Sequence, residues 1–265
     1  MQFLGRVGQA RLTLSFDLSA NAGNIEELQQ LPCPPNSADV LVSEWMGYAL
    51  LFESMLASVL RARDRWLKPG GAMLPDQATL YVAAADEAAT GLAFWDDVYG
   101  FRFPGIKEES RASAHTQPLV APVAESALLS SAAAVQRFDL ATMQAGDADF
   151  SADFTLQAQR KAMCHAFVLW FDTAFSERVC PDKPCLLSTS PRSKQTHWVQ
   201  TVFVWAAPFA VEAGQALKCR CSFAQSGHRG IDISFEASVD NARADDSAVH
   251  AQAWTMAVSA DEAHA

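Results

Sequence analysis

The sequence has little positive charge and no long apolar run. Its 20 lysine and arginine residues face 30 aspartate and glutamate residues, which gives a formal net charge of −10. A protein that neutralises phosphates needs an excess of positive charge, so direct nucleic-acid binding is not expected. A basic polypeptide is instead a favoured partner. No stretch reaches the roughly 18 uninterrupted apolar residues that span a bilayer, and the N-terminus has no apolar signal-peptide core. We therefore expect a soluble intracellular protein of the cytoplasm, the nucleus or both, without a membrane partner.

Cysteine pairing signals are also missing. None of the six cysteines forms a Cys-x-x-Cys pair, which suits reduced intracellular thiols better than a disulfide framework. Cys219 and Cys221 could be half of a metal site, but no Cys or His pair with zinc-finger spacing accompanies them. We interpret them as alternate positions on one β-strand and expect no metal.

What the sequence does contain is apolar mass. Half of its 265 residues are hydrophobic and 19% are charged, a composition that is typical of packed globular domains and excludes disordered or fibrous chains. The length allows one large domain or two small ones. Neither G-x-G-x-x-G nor G-x-x-x-x-G-K occurs, so the sequence carries no glycine loop of the phosphate-cradling kinds.

Residues 1–73 are expected to form an α/β segment. The run Ala38–Val42 is short, branched and continuous, as in a strand buried on both faces of a parallel sheet. A shorter strand is predicted at Arg11–Leu14. Apolar residues then recur at helical spacing in an amphipathic helix, which Pro69 and the glycines after it would end. These apolar residues are Phe52, Met55, Leu56, Val59 and Leu60.

Residues 74–258 are predicted to form an antiparallel barrel or sandwich. Alternating apolar and polar runs bounded by turn residues indicate strands with one solvated face, and several such runs at this spacing favour this architecture. The runs are 78–84, 150–160, 164–171, 198–205, 215–223 and 231–239. The Asp- and Ala-rich tail after Val239 is expected to fray.

One segment of this region has more apolar mass than a loop normally keeps in water. Between residues 91 and 103 the large side chains are Leu92, Phe94, Trp95, Val98, Tyr99, Phe101 and Phe103. We interpret the surrounding residues, about 88–118, as a protruding contact arm and expect a homodimer through it.

Two carboxylates flank the connection between the predicted strand and helix. Glu44 comes directly after the strand, and Glu53 lies at the start of the helix. The carboxyl edge of a parallel strand is where α/β folds bind ligands, and two converging carboxylates fit the five donors of a planar guanidinium. The alternative is that Glu53 is a first-turn helix residue favoured by the macrodipole and that Glu44 is merely exposed. Charge spacing alone leaves both interpretations open.

The residues around these carboxylates resemble the double-glutamate hairpin of the protein arginine methyltransferases. Asp39–Tyr48 and Leu51–Leu56 are similar to that family's strand and hairpin, Ala62–Gly71 to the helix end, Phe94–Phe101 to the dimerisation arm and Thr196–Phe203 to the T-H-W loop. Phe150–Leu156 and Pro208–Leu217 are nearest to the zinc-finger-bearing subtype of the type I branch. The resemblance implies a Rossmann-like methyltransferase remnant followed by a β-barrel with an inserted dimerisation arm.

On the substrate side, the resemblance implies that Glu44 and Glu53 clamp the guanidinium of an arginine, with Met46 and Tyr48 shaping the slot between them. His197 would close the site from the barrel, and His197 or Glu53 would accept the proton after transfer. Trp198 would line the same side, although a histidine beside a tryptophan is also common as a packed barrel pair. Arg/Gly-rich basic proteins would be the substrates, with histones, RNA-binding and ribosomal proteins as candidates.

On the donor side, the resemblance implies S-adenosylmethionine, with Glu26 at its adenine and Met55 at its sulfonium end. The products would be monomethylarginine and asymmetric dimethylarginine. The family's glycine-rich loop and ribose-binding acid have no counterpart in this sequence, so we expect an N-terminally truncated chain. In such a chain the strand Ala38–Val42 would lack parallel neighbours, and the polypeptide alone would be inactive. The alternative is a non-catalytic paralogue that dimerises and binds substrate without donor.

Overall fold

The computed structural model describes residues 34–227, 229–239 and 249–257, and the backbone of residues 2–4. The strands are β1 (Gln2–Leu4), β2 (Ala38–Val42), β3 (Leu67–Leu74), β4 (Gln77–Ala85), β5 (Leu119–Ala121), β6 (Ala133–Asp139), β7 (Phe150–Gln157), β8 (Ala162–Phe175), β9 (Cys185–Ser188), β10 (Gln200–Val211), β11 (Ala216–Ser226), β12 (Gly230–Val239) and β13 (Val249–Met256). The α-helices are α1 (Met55–Trp66) and α2 (Pro104–Ala114). The strand predicted at Arg11–Leu14 lies outside the described residues. Among the described residues, no helix has the length and apolarity needed to cross a membrane.

Strand β2 lies at the centre of a small sheet with the order β1-β2-β3. It pairs parallel to β3 and antiparallel to β1. The expectation that β2 lacks parallel neighbours is therefore wrong for one of its two edges, because the chain after α1 runs back as β3. Gly70 lies where the register between β2 and β3 shifts, an irregularity that its left-handed φ of 74° permits. The predicted domain boundary at residues 73 and 74 falls at the end of β3 and stays a prediction.

Helix α1 buries one face, as its apolar spacing predicts. Leu56 and Leu60 are each 2% exposed, and full burial of such a side chain contributes about 1.5–3 kcal/mol. Arg63, also buried, donates through Nη1 to the carbonyl oxygens of Leu140 and Met143, both at 2.8 Å. Packing and hydrogen bonds together fix the helix to the region that follows it.

Two antiparallel sheets form a β-barrel after the α/β unit. One sheet has the order β5-β10-β8-β4-β6, with β9 paired to β8, and the other has the order β13-β12-β11-β7. Aromatic rings meet edge to face in the shared core, such as Phe203 with Phe235 at 5.0 Å and Trp205 with Trp254 at 5.5 Å. The six predicted runs are confirmed as strands β4, β7, β8, β10, β11 and β12.

The prediction that the chain frays after Val239 is wrong for residues 249–257. Strand β13 pairs with β12 over residues 249–256, and Trp254 is 1% exposed. The Trp254 indole N–H donates to the Ala114 carbonyl oxygen at 3.1 Å, so this strand also holds the end of α2. Trp254 and Met256 occupy alternate, buried positions. This short alternation is hard to recognise beside the Asp- and Ala-rich stretch before it.

The predicted arm has a packed base and an exposed tip. At the base, Ala89 and Ala114 are buried in a small apolar cluster with side chains of β8 and β10. At the tip, Phe94, Tyr99 and Phe101 are 60%, 97% and 69% exposed. These side chains are exposed apolar residues, as the sequence indicates, and the role of the segment as a contact arm stays a prediction.

Candidate active site

The loop of residues 43–54, here called the acidic loop, joins β2 to α1 and carries both predicted carboxylates. Glu44 is exposed, whereas the Glu53 side chain is 35% exposed. Glu53 has a left-handed φ of 75° and precedes α1, whose first turn contains no acidic residue. The alternative that Glu53 is a first-turn helix residue favoured by the macrodipole is therefore wrong. The loop, rather than the helix, places this carboxylate.

The acidic loop reverses direction at a tight turn between its two carboxylates. Gly47 and Leu50 exchange two backbone hydrogen bonds of 3.0 Å. A Cβ atom on Gly47 would lie 1.8 Å from the carbonyl oxygen of Phe52. Only glycine allows this close approach of two backbone segments.

The backbone of the acidic loop is strained at several positions. Ala49, Leu50, Glu53 and Ser54 have φ values of 49°, 67°, 75° and 53°, and such a residue costs on the order of 1–3 kcal/mol. Strain of this kind persists where the surroundings enforce it, and here Leu50 is fully buried and Leu51 is 2% exposed. Strained residues cluster at binding and catalytic sites, so this loop is the strongest candidate for one.

The barrel holds the acidic loop through two residues near the start of β10. The Trp198 indole N–H donates to the carbonyl oxygen of Met46 at 2.8 Å, and the Ala49 N–H donates to the Thr201 hydroxyl at 3.2 Å. The exposed His197 ring lies 3.8 Å from the Trp198 ring, centroid to centroid. The structure thus brings the predicted T-H-W loop against the predicted hairpin.

The other predicted site residues lie in different environments. Met46 is 6% exposed and belongs to the core. Tyr48 and Met55 are partly buried and pack against the same core, with Met55 as the first residue of α1. Glu26 lies outside the described residues. The roles of these residues in binding substrate or donor stay predictions.

Sequence reasoning missed Arg229, which lies beside Glu53. The Arg229 guanidinium donates through Nη2 to the Glu53 carboxylate oxygen Oε2 at 3.4 Å, and the Glu53 N–H donates to the Arg229 carbonyl oxygen at 3.0 Å. The sequence does indicate a turn between β11 and β12, because glycines stand on both sides of Arg229. It contains no sign that this turn faces a residue 176 positions earlier in the chain.

The cysteines of the barrel do not form a metal site in the described part of the chain. Cys219 and Cys221 are buried alternate residues of β11, which confirms their interpretation as strand positions. Burial raises the pKa of the Cys221 thiol to about 11 and that of Cys164 to about 12, so both stay protonated at neutral pH. Within 34–227, 229–239 and 249–257, no group of three or more His, Cys, Asp or Glu side chains could hold a metal ion.

The acidic loop carries two carboxylates, the groups with which a planar cation pairs. A guanidinium presents several donors in one plane and pairs well with carboxylates, and the contact between Arg229 and Glu53 is an instance of that pairing within the chain. The Trp198 ring, whose indole N–H donates to the loop, also lies beside the His197 ring. The fold and site define a class of protein: a βαβ unit whose strand-to-helix loop carries two carboxylates and is held against an antiparallel β-barrel.

Comparison with known proteins places the chain in a particular family of that class. The family description "Arginine methyltransferase oligomerization subdomain" matches residues 76–242. The chain therefore belongs to the arginine methyltransferase family, as the resemblance of its motifs predicts.

Two relatives and one solved structure illustrate the similarity. The chain is 45% identical over 239 residues to a probable protein arginine N-methyltransferase 3 of Arabidopsis thaliana, covering 81% of this chain and 40% of the relative. It is 41% identical over 225 residues to protein arginine N-methyltransferase 1 of Schizosaccharomyces pombe, covering 83% and 63%. Its fold matches a chain of the PRMT1 enzyme–prozyme heterotetrameric complex of Trypanosoma brucei with AdoHcy, with a TM-score of 0.73, 32% identity and coverage of 89% and 72%. The chain thus spans about 40% of the length of the first of these relatives.

Proposed function

We propose that this chain carries the acceptor site of a protein arginine N-methyltransferase. The enzyme transfers a methyl group from S-adenosylmethionine to the guanidinium of intracellular Arg/Gly-rich basic proteins and forms monomethylarginine and asymmetric dimethylarginine. The observation that carries the proposal is the acidic loop, which has two carboxylates, a strained backbone and a fixed attachment to the barrel through Trp198. The net charge of −10 supports a basic polypeptide as the substrate.

In this proposal, the carboxylates of Glu44 and Glu53 bind the guanidinium and orient one of its nitrogens toward the methyl donor. Proximity and orientation are the main catalytic effects that such a site contributes. The two carboxylates also concentrate the positive charge of the guanidinium away from the reacting nitrogen. His197, exposed beside Trp198, or Glu53 accepts the proton that this nitrogen loses.

S-Adenosylmethionine, when bound, supplies an activated methyl carbon and its own leaving group. Met55 fits a place beside it, because this thioether lies at the start of α1, two residues after Glu53, and is only partly buried. Glu26 is the second proposed donor contact.

We further propose that the arm forms a homodimer. Its tip exposes Phe94, Tyr99 and Phe101, and a patch of this kind is stable in water when a second surface covers it. The family description names an oligomerization subdomain, and the Trypanosoma brucei neighbour is part of a heterotetrameric complex. A second copy of this chain would bring the same patch and is the simplest partner.

Methyl transfer by the full-length gene product tests the proposed activity. We expect radiolabel from S-adenosylmethionine to enter a Gly/Arg-rich peptide and not a matched peptide with lysine in place of arginine. Label in the lysine peptide would contradict the assignment of the acceptor. A protein that binds the arginine peptide but neither S-adenosylhomocysteine nor label would instead be the non-catalytic paralogue.

A further inference from the structure

Arg229 holds Glu53 by its backbone and its side chain at once. The Glu53 N–H donates to the Arg229 carbonyl oxygen at 3.0 Å. In return, the Arg229 guanidinium donates through Nε to the Glu53 carbonyl oxygen at 3.3 Å and through Nη2 to the carboxylate oxygen Oε2 at 3.4 Å. The oxygen Oε2 of the carboxylate is thereby paired, while Oε1 has no partner among the described residues.

The residues at both ends of the turn that carries Arg229 are closely constrained. It joins β11 to β12, where Ser226 and Gly230 are paired. Gly227 and Arg229 have left-handed φ values of 53° and 63°, and a Cβ atom on Gly230 would lie 2.5 Å from the Ser226 carbonyl oxygen. The described residues of the turn thereby bring the Arg229 guanidinium beside the acidic loop.

The contact between Arg229 and Glu53 contributes little as an ion pair. The two side chains are 44% and 35% exposed, and solvent weakens pairs of this kind until their net contribution to stability is small. Orientation is the larger effect. A glutamate that rotates freely must lose that freedom when it meets a substrate, whereas one that is already held does not.

We infer that Arg229 is a positioning residue of the proposed site, which holds Glu53 through Oε2 and leaves Oε1 for the substrate guanidinium. The inference rests on the proposed function, because it takes Glu53 as a substrate contact. The side chains of Glu44, Glu53 and Arg229 together carry one net negative charge. One substrate guanidinium neutralises that charge.

Replacement of the Arg229 side chain in the full-length gene product tests the inference. Arg229→Asn is the variant of choice, because asparagine tolerates a left-handed backbone. We expect kcat for methylation of a Gly/Arg-rich peptide to fall about tenfold, with KM within about twofold of the parent, since orientation in the transition state is lost and the carboxylates remain. Arg220→Asn is the matched control, because Arg220 is an exposed arginine of the adjoining strand β11 whose carboxylate partner is Asp153, at 3.2 Å.

Two further variants test whether Arg229 acts by positioning Glu53, by its positive charge alone or through the stability of the fold. In a Glu53→Gln background, Arg229→Asn should change kcat less than about twofold, because the residue through which it acts is already altered. A further tenfold loss in that background would overturn the inference. Arg229→Lys keeps the charge without the planar fork and should stay within about threefold of Arg229→Asn, and full recovery by lysine would also overturn it.

The outcomes distinguish this inference from the proposed function. If the parent does not methylate arginine, the proposed function fails and the inference fails with it. If the parent is active, Glu53→Gln is impaired and Arg229→Asn behaves like Arg220→Asn, the inference alone fails. Thermal unfolding shows whether each variant is folded. If Arg229→Asn is unfolded, the activity of Arg229→Lys tests the inference in its place.

Discussion

The turns at Gly47–Leu50 and Val98–Phe101 have the same backbone hydrogen bonds and opposite surroundings. In each, the end residues exchange two bonds, of 3.0 Å in the first turn and of 2.8 and 3.1 Å in the second. Each has a tyrosine as its first central residue, Tyr48 in one and Tyr99 in the other. Tyr48 packs against the core, whereas Tyr99 is 97% exposed.

Contacts within this chain cover the first turn and leave the second turn exposed. Around the first turn, Leu50 is fully buried and the side chains left accessible include the two carboxylates. Around the second, Phe94 and Phe101 remain in water. A strained loop with accessible charge is suited to a small polar ligand, and an apolar tip is suited to another protein surface.

The largest expected effect concerns the two carboxylates of the acidic loop. Glu44→Gln or Glu53→Gln should lower kcat/KM for an arginine peptide about a hundredfold or more, because a charge-assisted contact is lost at the reacting centre. Glu212→Gln is the control, since Glu212 is an exposed acid paired with Lys161. Activity of Glu44→Gln and Glu53→Gln within threefold of the parent would contradict the assignment.

The second prediction concerns the arm. Phe94→Ser combined with Phe101→Ser should raise the dimer dissociation constant about a hundredfold, because two large apolar side chains leave the proposed interface. Trp95 is left unchanged, since its ring contacts Phe94 and Phe103 within the arm.

Sedimentation at micromolar concentration measures the effect on the arm. The parent should sediment as a dimer and the double variant as a monomer. Leu186→Ser is the control, because Leu186 is 62% exposed and lies outside the arm on β9. An identical mass for the parent and the double variant would show that the apolar tip is not the interface.

Local patterns in the sequence predict most of the fold, the acidic loop and the apolar tip of the arm. Alternation gives the main barrel strands, and helical spacing gives α1. The residues of β3 contain Pro69 and Gly70, which favour a loop, so only pairing with β2 makes them a strand. Likewise, nothing local to Arg229 indicates that it contacts the acidic loop, because its partner lies far away in the chain, and Trp198 is expected there only through the resemblance of its motif to the family.

The third prediction tests whether the first turn depends on its close backbone approach. Gly47→Ala should destabilise the protein by about 1–3 kcal/mol, because the new Cβ forces Gly47 and Phe52 apart. Chemical denaturation measures the loss, and activity should fall with it because both carboxylates shift. Gly105→Ala is the control, since a Cβ there meets nothing within 4 Å. Equal stability of the two variants would mean that the turn adapts easily.

The smallest expected effect compares the two tyrosines. Tyr99→Asn should leave the stability of the monomer within about 0.5 kcal/mol, because the lost side chain is exposed and asparagine tolerates the left-handed φ of 54° at this position. Tyr48→Ala should cost about 1–3 kcal/mol, since it removes packing from the core. The proposed dimer would add to the apparent stability by mass action, so both changes are measured by denaturation in the Phe94→Ser, Phe101→Ser background. A clear loss for Tyr99→Asn there would mean that the arm tip is packed within its own chain.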